Sequence, residues 1–256
     1  MSVQTVTASI VSLQDVHVAY GQREVFRSLS CDFPAQKISV ILGGSGSGKS
    51  TIVRLISGLS IPRNGKVIVD GDDVTRLSNQ GLRNLRRKLS MLFQGGALLD
   101  SYTVFENLAL PLREEQRKLT PPQIADAVHA ALESVGLRDI DHLLPNQLSG
   151  GMLRRVALAS ALIRKPSILL CDEPFSGLDP ASIKRIESLF IGLNREGMTL
   201  LVVSHHVPST LRMADKILLL VNGRKIEGTP QELRDSSDPD VADFLNEGAQ
   251  EKIRKW

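Results

Sequence analysis

Short apolar runs recur along this chain, and several of them are followed by a segment with helical spacing. The runs that predict strands lie at residues 11–18, 26–33, 38–42, 89–93, 168–171 and 200–203. Helices are predicted from about residue 49 to Gly58, over residues 180–194 and near residues 207–213. Because strands that alternate with helices favour a parallel sheet, the pattern predicts an α/β domain.

Turn-forming dipeptides predict antiparallel strands beside this parallel core. An Asn-Gly pair at 64–65 and an Asp-Gly pair at 70–71 enclose a short apolar strand. A second Asn-Gly pair, at 222–223, predicts a hairpin near the end of the chain. We therefore expect an antiparallel β subdomain in addition to the parallel sheet.

The stretch from residue 95 to residue 155 carries helical signals and lacks strand signals. A capping box of Thr103 and Glu106 predicts a short helix before Pro111. The other two predicted helices run from Pro121 to Gly136 and from Ser149 to Leu162. Inside an α/β pattern, such a stretch predicts an inserted helical subdomain.

Length and composition fit one globular domain. With 256 residues, the chain can bury a sizeable core. We expect a single domain at residues 1–246, divided into a core with its β subdomain at 1–94 and 156–246 and a helical subdomain at 95–155. A basic tail, residues 247–256, would follow it.

Charge and cysteine usage exclude several functional classes. Aromatic residues make up only 4% and the net charge is only +3, so the composition predicts no nucleic-acid partner. Cys31 and Cys171 lack metal-ligand spacing and fit a reducing cytosol. Residues 1–9 lack the features of a signal peptide, and no apolar run approaches the ~20 residues of a membrane span. Any membrane role is therefore expected to come through a partner.

The apolar run at residues 38–42 leads directly into a glycine-rich loop that precedes a helix. Its spacing matches G-x-x-x-x-G-K-[ST], in which curled backbone N–H groups and the helix N-terminus bind phosphate. Lys49 is expected to reach the β- and γ-phosphates of a nucleotide, and Ser50 is expected to reach Mg²⁺. The predicted nucleotide-binding residues of this loop are Gly43, Gly44, Ser45, Gly46, Ser47, Gly48, Lys49, Ser50 and Thr51.

The strand predicted at residues 168–171 ends in two carboxylates, Asp172 and Glu173. In a parallel sheet, this strand end emerges at the same edge as the glycine-rich loop. Asp172 can hold Mg²⁺ directly or through water, and Glu173 can orient or deprotonate the water that attacks the γ-phosphate. We therefore predict that Asp172 is a metal ligand and that Glu173 is the catalytic base.

Together with these two sites, five further motifs make the sequence resemble the ATP-binding cassette (ABC) ATPases over nearly its whole length. They are Tyr20 as the adenine-stacking aromatic, Gln94 in the Q-loop, Leu148-Ser149-Gly150-Gly151-Met152 as the signature, Ser176-Gly177-Leu178-Asp179 as the D-loop and His205 as the switch histidine. The resemblance implies a RecA-like P-loop core with ATP as the nucleotide. It also implies catalytic roles for Lys49, Gln94, Glu173 and His205, and Mg²⁺ ligation by Ser50, Gln94 and Asp172.

The resemblance further implies a homodimer of the ATPase. Family members work as head-to-tail pairs, with ATP between the phosphate loop of one subunit and the residues equivalent to Ser149, Gly150 and Gly151 of the other. A serine N-cap followed by glycines is an anion-binding helix start in its own right. Asp179 would bridge the pair. Met152 stands where most members have Gln, and because backbone N–H groups bind the anion there, activity is expected to persist.

A finer resemblance is to the ATPase subunits of Mla-type phospholipid transporters. The matching stretches are residues 92–107, Met152, residues 172–175 and residues 241–244. This implies a peripheral location on the cytoplasmic side of the inner membrane, bound through a permease that docks near residues 94–105. It also implies an MCE-domain protein and a small STAS-domain protein in the same complex. The apolar segment at residues 97–105 is the expected docking groove, although an ordinary core segment would look similar.

Three alternatives stay open at this point. The chain could serve another ABC importer or exporter, such as a lipoprotein-release or amino-acid system. Non-transport ABC ATPases of DNA repair carry long coiled coils or zinc hooks, and this sequence has no such heptads and no C-x-x-C. A nucleotide-binding scaffold without turnover is disfavoured because Lys49, Asp172, Glu173 and His205 are all in place. His206, where the family often has Asp, receives no role.

Overall fold

The computed structural model describes residues 9–93, 96–115 and 119–250. The strands in this part of the chain are β1 (Ser9–Tyr20), β2 (Arg23–Pro34), β3 (Ile38–Gly43), β4 (Asn64–Val69), β5 (Asp72–Asp73), β6 (Leu89–Leu92), β7 (Ile168–Asp172), β8 (Thr199–Ser204), β9 (Lys216–Val221) and β10 (Arg224–Gly228). The helices are α1 (Lys49–Ile56), α2 (Asn79–Lys88), α3 (Val104–Glu115), α4 (Pro121–Ser134), α5 (Gly150–Leu162), α6 (Pro180–Arg195), α7 (Val207–Met213), α8 (Pro230–Arg234) and α9 (Pro239–Gln250).

These strands form two sheets, as the sequence predicted. The larger sheet has the order β10-β9-β3-β8-β7-β6, and all of its strands are parallel except β10. The smaller sheet, β2-β1-β4-β5, is antiparallel. Every residue of β3 and β8 is buried, which is why both segments are mostly apolar and do not alternate with exposed polar residues. Because β3, β7 and β8 are parallel neighbours, their carboxyl ends meet at one edge of the sheet.

The helices α3, α4 and α5 pack on one another beside the parallel sheet. Their apolar faces, with Leu108, Val128, Leu132 and Val156, belong to the same core cluster as Val40 of β3. The division of the chain at residues 95, 155 and 246 stays a prediction. The helices α5 and α9 run past two of these positions, to Leu162 and Gln250.

The prediction that the helix beginning after Thr103 stops before Pro111 is wrong, because α3 continues to Glu115. Proline lacks the N–H that would bond to the carbonyl four residues earlier, so it removes one intrahelical hydrogen bond. Burial of Leu108 and Leu112 on either side of Pro111 holds the helix against the core despite that loss. Tertiary packing therefore overrides the local helix-breaking signal.

Within the described ranges, no helix combines the length and the apolar character needed to cross a bilayer.

Candidate nucleotide-binding and catalytic site

The glycine-rich loop joins β3 to α1, and at two of its glycines a side chain would clash with neighbouring strands. Gly48 has a φ of +100°, and a Cβ added there would lie 2.4 Å from Cζ of Phe26. A Cβ on Gly43 would lie 2.7 Å from the carbonyl oxygen of Leu220. Gly44, by contrast, has open space around it. Two of the loop glycines are thus required by close packing against β2 and β9, while Gly44 is not.

Lys49 begins α1 and folds back along the inside of this loop. Its Nζ donates hydrogen bonds to the carbonyl oxygens of Gly43 and Gly44, at 2.8 and 2.9 Å. Burial lowers the pKa of the Lys49 ammonium, and the nearby Glu173 and Asp172 carboxylates oppose that shift. The side-chain Oγ of Ser47 is buried and has no hydrogen-bond partner among the described residues. A buried cation and an unpaired hydroxyl within curled backbone suit a polyanion.

Beside the loop is a cavity of about 300 Å³, lined by Tyr20, Arg23, Val25, Gly46, Gly48, Lys49, Ser50 and Thr51. Tyr20, at the end of β1, is 47% exposed, which leaves its ring accessible for stacking. Arg23 donates to the carbonyl oxygen of Gly46 at 3.4 Å. Sequence reasoning missed Arg23, although a cation three residues after the stacking aromatic was a usable signal.

Asp172 ends β7 next to the start of α1, where its carboxylate lies near the Ser50 hydroxyl. Burial raises the pKa of the Asp172 carboxyl, and the Ser50 hydroxyl, Lys49 and Arg54 partly offset that shift. The structure therefore brings two oxygen donors together at the sheet edge that faces the phosphate loop. A carboxylate beside a hydroxyl is a donor set that Mg²⁺ prefers, so the residues present fit this ion.

Glu173 and His205 lie together where β7 and β8 end. The Nδ1 of His205 is 2.8 Å from Oε2 of Glu173, and the His205 backbone N–H donates to the same oxygen at 3.4 Å. Glu173 has a φ of +50°, an unusual backbone conformation for a residue with a side chain. Its N–H also bonds to the carbonyl oxygen of Val203, at 2.9 Å. The strained turn is thus fixed by β8 and directs the carboxylate toward the histidine.

The signature and D-loop residues meet each other rather than the phosphate loop. Ser149 is the N-cap of α5 and accepts from the N–H of Met152 at 3.3 Å. Asp179 is the N-cap of α6 and accepts from the N–H and the hydroxyl of Ser182, which lowers its pKa. A Cβ on Gly151 would lie 2.5 Å from Oγ of Ser182, so α5 and α6 begin side by side. The lining of the nucleotide cavity includes none of these residues.

Gln94, predicted to ligate Mg²⁺ and to have a catalytic role, lies outside the described residues, as does part of the predicted tail. Two structurally important residues nearby were not identified from the sequence. Asn107 is buried and its side chain bonds to backbone groups of Leu99, Tyr102 and Thr103, so it fixes the loop before α3. Arg154, on α5, donates hydrogen bonds to two loops from other parts of the chain.

Comparison with known proteins agrees with this geometry. The family model described as ABC transporter matches residues 26–176. The intermembrane phospholipid transport system ATP-binding protein MlaF of Escherichia coli (strain K12) is 41% identical over 241 residues, covering 93% of this chain and 89% of that relative. The methionine import ATP-binding protein MetN of Caulobacter vibrioides is 41% identical over 221 residues, covering 85% of this chain and 66% of that relative.

Among solved structures, a dimeric post-hydrolysis state of the ATP-binding cassette MJ0796 bound to ADP and Pi aligns with a TM-score of 0.78 and 30% sequence identity. The alignment covers 86% of this chain and 98% of that one. The phosphate loop, the carboxylates after β7 and the histidine after β8 thus occur within a fold shared with nucleotide-bound cassettes. The chain belongs to the ABC transporter family and is an ABC-type ATPase.

Proposed function

We propose that this chain is the ATP-hydrolysing subunit of an Mla-type transporter that moves phospholipid between the inner and outer membranes. The observation that carries the catalytic part is the meeting of Lys49, Asp172 and Glu173 at one sheet edge, with His205 in contact with Glu173. The transport part rests on the similarity to MlaF, of which the chain covers 89%. The similarity to MetN is as high in identity, but the chain covers only 66% of that longer protein, which makes methionine import the second candidate.

In this proposal each residue of the site has a distinct task. Lys49 and the backbone N–H groups of residues 43–51 bind the β- and γ-phosphates of ATP. Ser50 and Asp172, with Gln94, hold Mg²⁺, which supplies charge neutralisation on the phosphates when bound. Glu173 accepts the proton of the attacking water.

His205 and Tyr20 complete the proposed ATP site. The Nδ1 contact at 2.8 Å orients the Glu173 carboxylate and leaves the other ring nitrogen of His205 for the γ-phosphate. Tyr20 supplies an exposed ring at the mouth of the cavity, where adenine can stack on it.

We further propose that the active unit is a head-to-tail pair. Ser149, Gly150 and Gly151 lie outside the lining of the nucleotide cavity, so they bind the phosphates of ATP held by the other subunit. Gly150 is exposed, and a Cβ placed on it would meet nothing within 4 Å, so there is room beside this helix start for a ligand. Asp179, in the neighbouring helix start, then reaches across the pair. The dimeric state of the similar cassette MJ0796 supports this arrangement.

The permease is proposed to dock against the loop that precedes α3. Leu99 and Tyr102 are exposed there, at 46% and 38%, while Asn107 holds their backbone in place. A rigid loop that exposes apolar side chains suits a docking helix. The chain would then be peripheral on the cytoplasmic side of the inner membrane, in a complex with an MCE-domain protein and a small STAS-domain protein.

The catalytic proposal is tested by Glu173→Gln in the full chain, with the exposed Glu196→Gln as a matched control. Loss of the base should lower ATP turnover by at least about 10²-fold, whereas ATP binding persists and the protein accumulates as an ATP-bound dimer in size-exclusion chromatography. Lys49→Ala should lose ATP binding as well as turnover. Wild-type turnover in Glu173→Gln would remove the base assignment.

The transport proposal is tested by purifying the chain from its native membrane in mild detergent and identifying the proteins and lipids that accompany it. An MCE-domain protein together with phospholipid is the expected result. Recovery of a methionine-binding protein and its permease would refute the phospholipid assignment while leaving the ATPase assignment intact.

A further inference from the structure

Arg154 lies in the first turns of α5, close behind the signature residues, and it reaches two loops from other parts of the chain. Its Nη1 donates to the carbonyl oxygen of Phe93 at 3.1 Å. Its Nη2 donates to the carbonyl oxygen of Ser176 at 3.4 Å. One guanidinium therefore connects three segments that are distant in the sequence.

Each of these carbonyls belongs to a functional segment. Phe93 follows β6 and directly precedes Gln94 and the loop where we propose that the permease docks. Ser176 lies between Glu173 and Asp179, in the connection from β7 to α6. Arg154 itself is carried by the helix that begins at the proposed anion-binding residues. The docking loop, the D-loop and the signature helix thus share one side chain.

The chemistry of arginine suits this task better than that of lysine. The planar guanidinium donates along several fixed directions and can serve two carbonyls at once, whereas an ammonium is a single point charge. Burial lowers the pKa of Arg154, which marks a partly desolvated site where hydrogen bonds to carbonyls are strengthened. Because the guanidinium is short and rigid, a displacement of either loop is expected to shift Arg154 and with it the other loop.

The adjacent arginine has a different task, which makes the comparison informative. The Nη1 of Arg155 donates to the carbonyl oxygens of Val135 and Gly136, at 3.2 and 2.9 Å. These carbonyls follow the end of α4, so Arg155 stabilises the helical region without touching the docking loop or the D-loop. Consecutive arginines on α5 thus face separate surroundings.

We propose that Arg154 is a positioning residue that couples the loop after β6 to the Asp179-bearing loop, so that docking of the permease and closure of the ATP-bound pair affect each other. This inference rests on the proposed function. It predicts that Arg154 influences turnover and the linked motion of the two loops, and that it leaves the affinity for ATP almost unchanged, because Arg154 is not part of the nucleotide cavity.

The test combines hydrogen exchange with steady-state kinetics on the full chain. Exchange is followed by mass spectrometry with and without Mg²⁺ and ATP, in a Glu173→Gln background, for peptides covering residues 43–52, 89–99 and 173–180. The variants are Arg154→Gln, the conservative Arg154→Lys, and Arg138→Gln as a control for loss of an exposed cation that pairs with Glu133. Turnover is measured with the same substitutions in the otherwise wild-type chain.

In Arg154→Gln we expect nucleotide to protect residues 43–52 from exchange as it does in the control. In the control, nucleotide should protect residues 89–99 and residues 173–180 together, whereas in the variant the protection of one peptide should no longer accompany that of the other. The kcat should fall roughly ten- to hundredfold, with KM for ATP within about twofold. Arg154→Lys should retain part of the kcat lost in Arg154→Gln, because it keeps the charge and one contact. If Arg154→Gln does not fold, the Lys variant is compared with the control in its place.

The proposal is overturned if both Arg154 variants match the control in kcat and in nucleotide-dependent exchange and lose only thermal stability. That result would assign Arg154 a structural role alone. Absence of turnover and of protection at residues 43–52 in every chain, including the one without substitutions at Arg154, would overturn the proposed function together with this inference. The two failures are thus distinguishable.

Discussion

The pairing of Glu187 with Arg212 should be a measurable source of stability. Glu187 lies on α6 and Arg212 on α7, and the guanidinium donates to both carboxylate oxygens, at 3.1 and 2.5 Å. Glu187 is only 6% exposed. In Glu187→Gln the shape is kept and the negative charge is lost, so the substitution isolates the charge of the pair.

The size of the effect follows from the exposure of the two partners. Removing one partner of a fully buried ion pair costs about 3–5 kcal/mol, because the remaining charge is left uncompensated. The Arg212 side chain is 48% exposed, so water can solvate it in the variant. Gln can also keep one hydrogen bond. We therefore expect a loss of about 1–2 kcal/mol, which lowers Tm by about 2–8 °C in a chain of this length.

The pH dependence identifies the charge as the cause. Burial alone would raise the pKa of Glu187, but hydrogen bonds from Arg212 and Ser209 outweigh it and lower the pKa below its ordinary value of 4.5. Because the folded pKa lies below the unfolded pKa, the stabilisation is present above pH 4.5 and is lost as pH falls through the folded pKa. The gap between wild type and variant should therefore narrow on acidification.

Urea unfolding followed by circular dichroism, at a series of pH values from 7.5 downward, measures this gap. Glu196→Gln, at the exposed C-cap of α6, is the control and should follow the wild type within about 0.5 kcal/mol. A gap that stays constant as pH falls would refute the reasoning, since it would have to come from packing and not from the ionised carboxylate.

Two further predictions concern the nucleotide site. Asp172→Asn should raise the Tm of the nucleotide-free chain by roughly 1–3 °C at neutral pH, because burial raises the pKa of Asp172 and the amide removes a charge that the fold disfavours. The same substitution should abolish Mg²⁺-dependent turnover. A lowered Tm would contradict the stability argument. Gly48→Ala should weaken ATP binding at least about tenfold, since its Cβ would lie 2.4 Å from Phe26, whereas Gly44→Ala, with open space around it, should bind ATP within about threefold of wild type in a fluorescent-nucleotide titration. Equal losses in the two glycine variants would show that steric fit does not decide the loop sequence.

Local physics accounts for what the sequence predicted well. The fully buried strands β3 and β8 are mostly apolar, which a segment on the surface would not favour. The start of α5 was predictable because Ser149 can cap it with its own side chain. The predicted fold class was confirmed for the same reason, since each helix or strand has its own hydrophobic periodicity and its own capping or turn residues.

Contacts between distant segments account for what the sequence did not predict. Glu173 and His205 are 32 residues apart, and their contact depends on the pairing of β7 with β8 and on a positive φ that the residue type does not reveal. The two carbonyls bound by Arg154 are likewise set by tertiary structure. The continuation of α3 through Pro111 is a third case, because only the burial of its neighbours explains it.

His206, to which the sequence analysis assigned no role, packs between the segments that carry Glu173 and His205. It is the N-cap of α7, and its Nδ1 lies 3.2 Å from the backbone N and 2.6 Å from the Oγ of Ser209. Its ring also packs on Phe175, with centroids 5.8 Å apart. Phe175 follows the turn that carries Glu173, and His205 directly precedes the capped helix. The imidazole of His206 therefore links the segment after β7 to the start of α7. The relative position of Glu173 and His205 thus depends on this packing as well as on their own hydrogen bond.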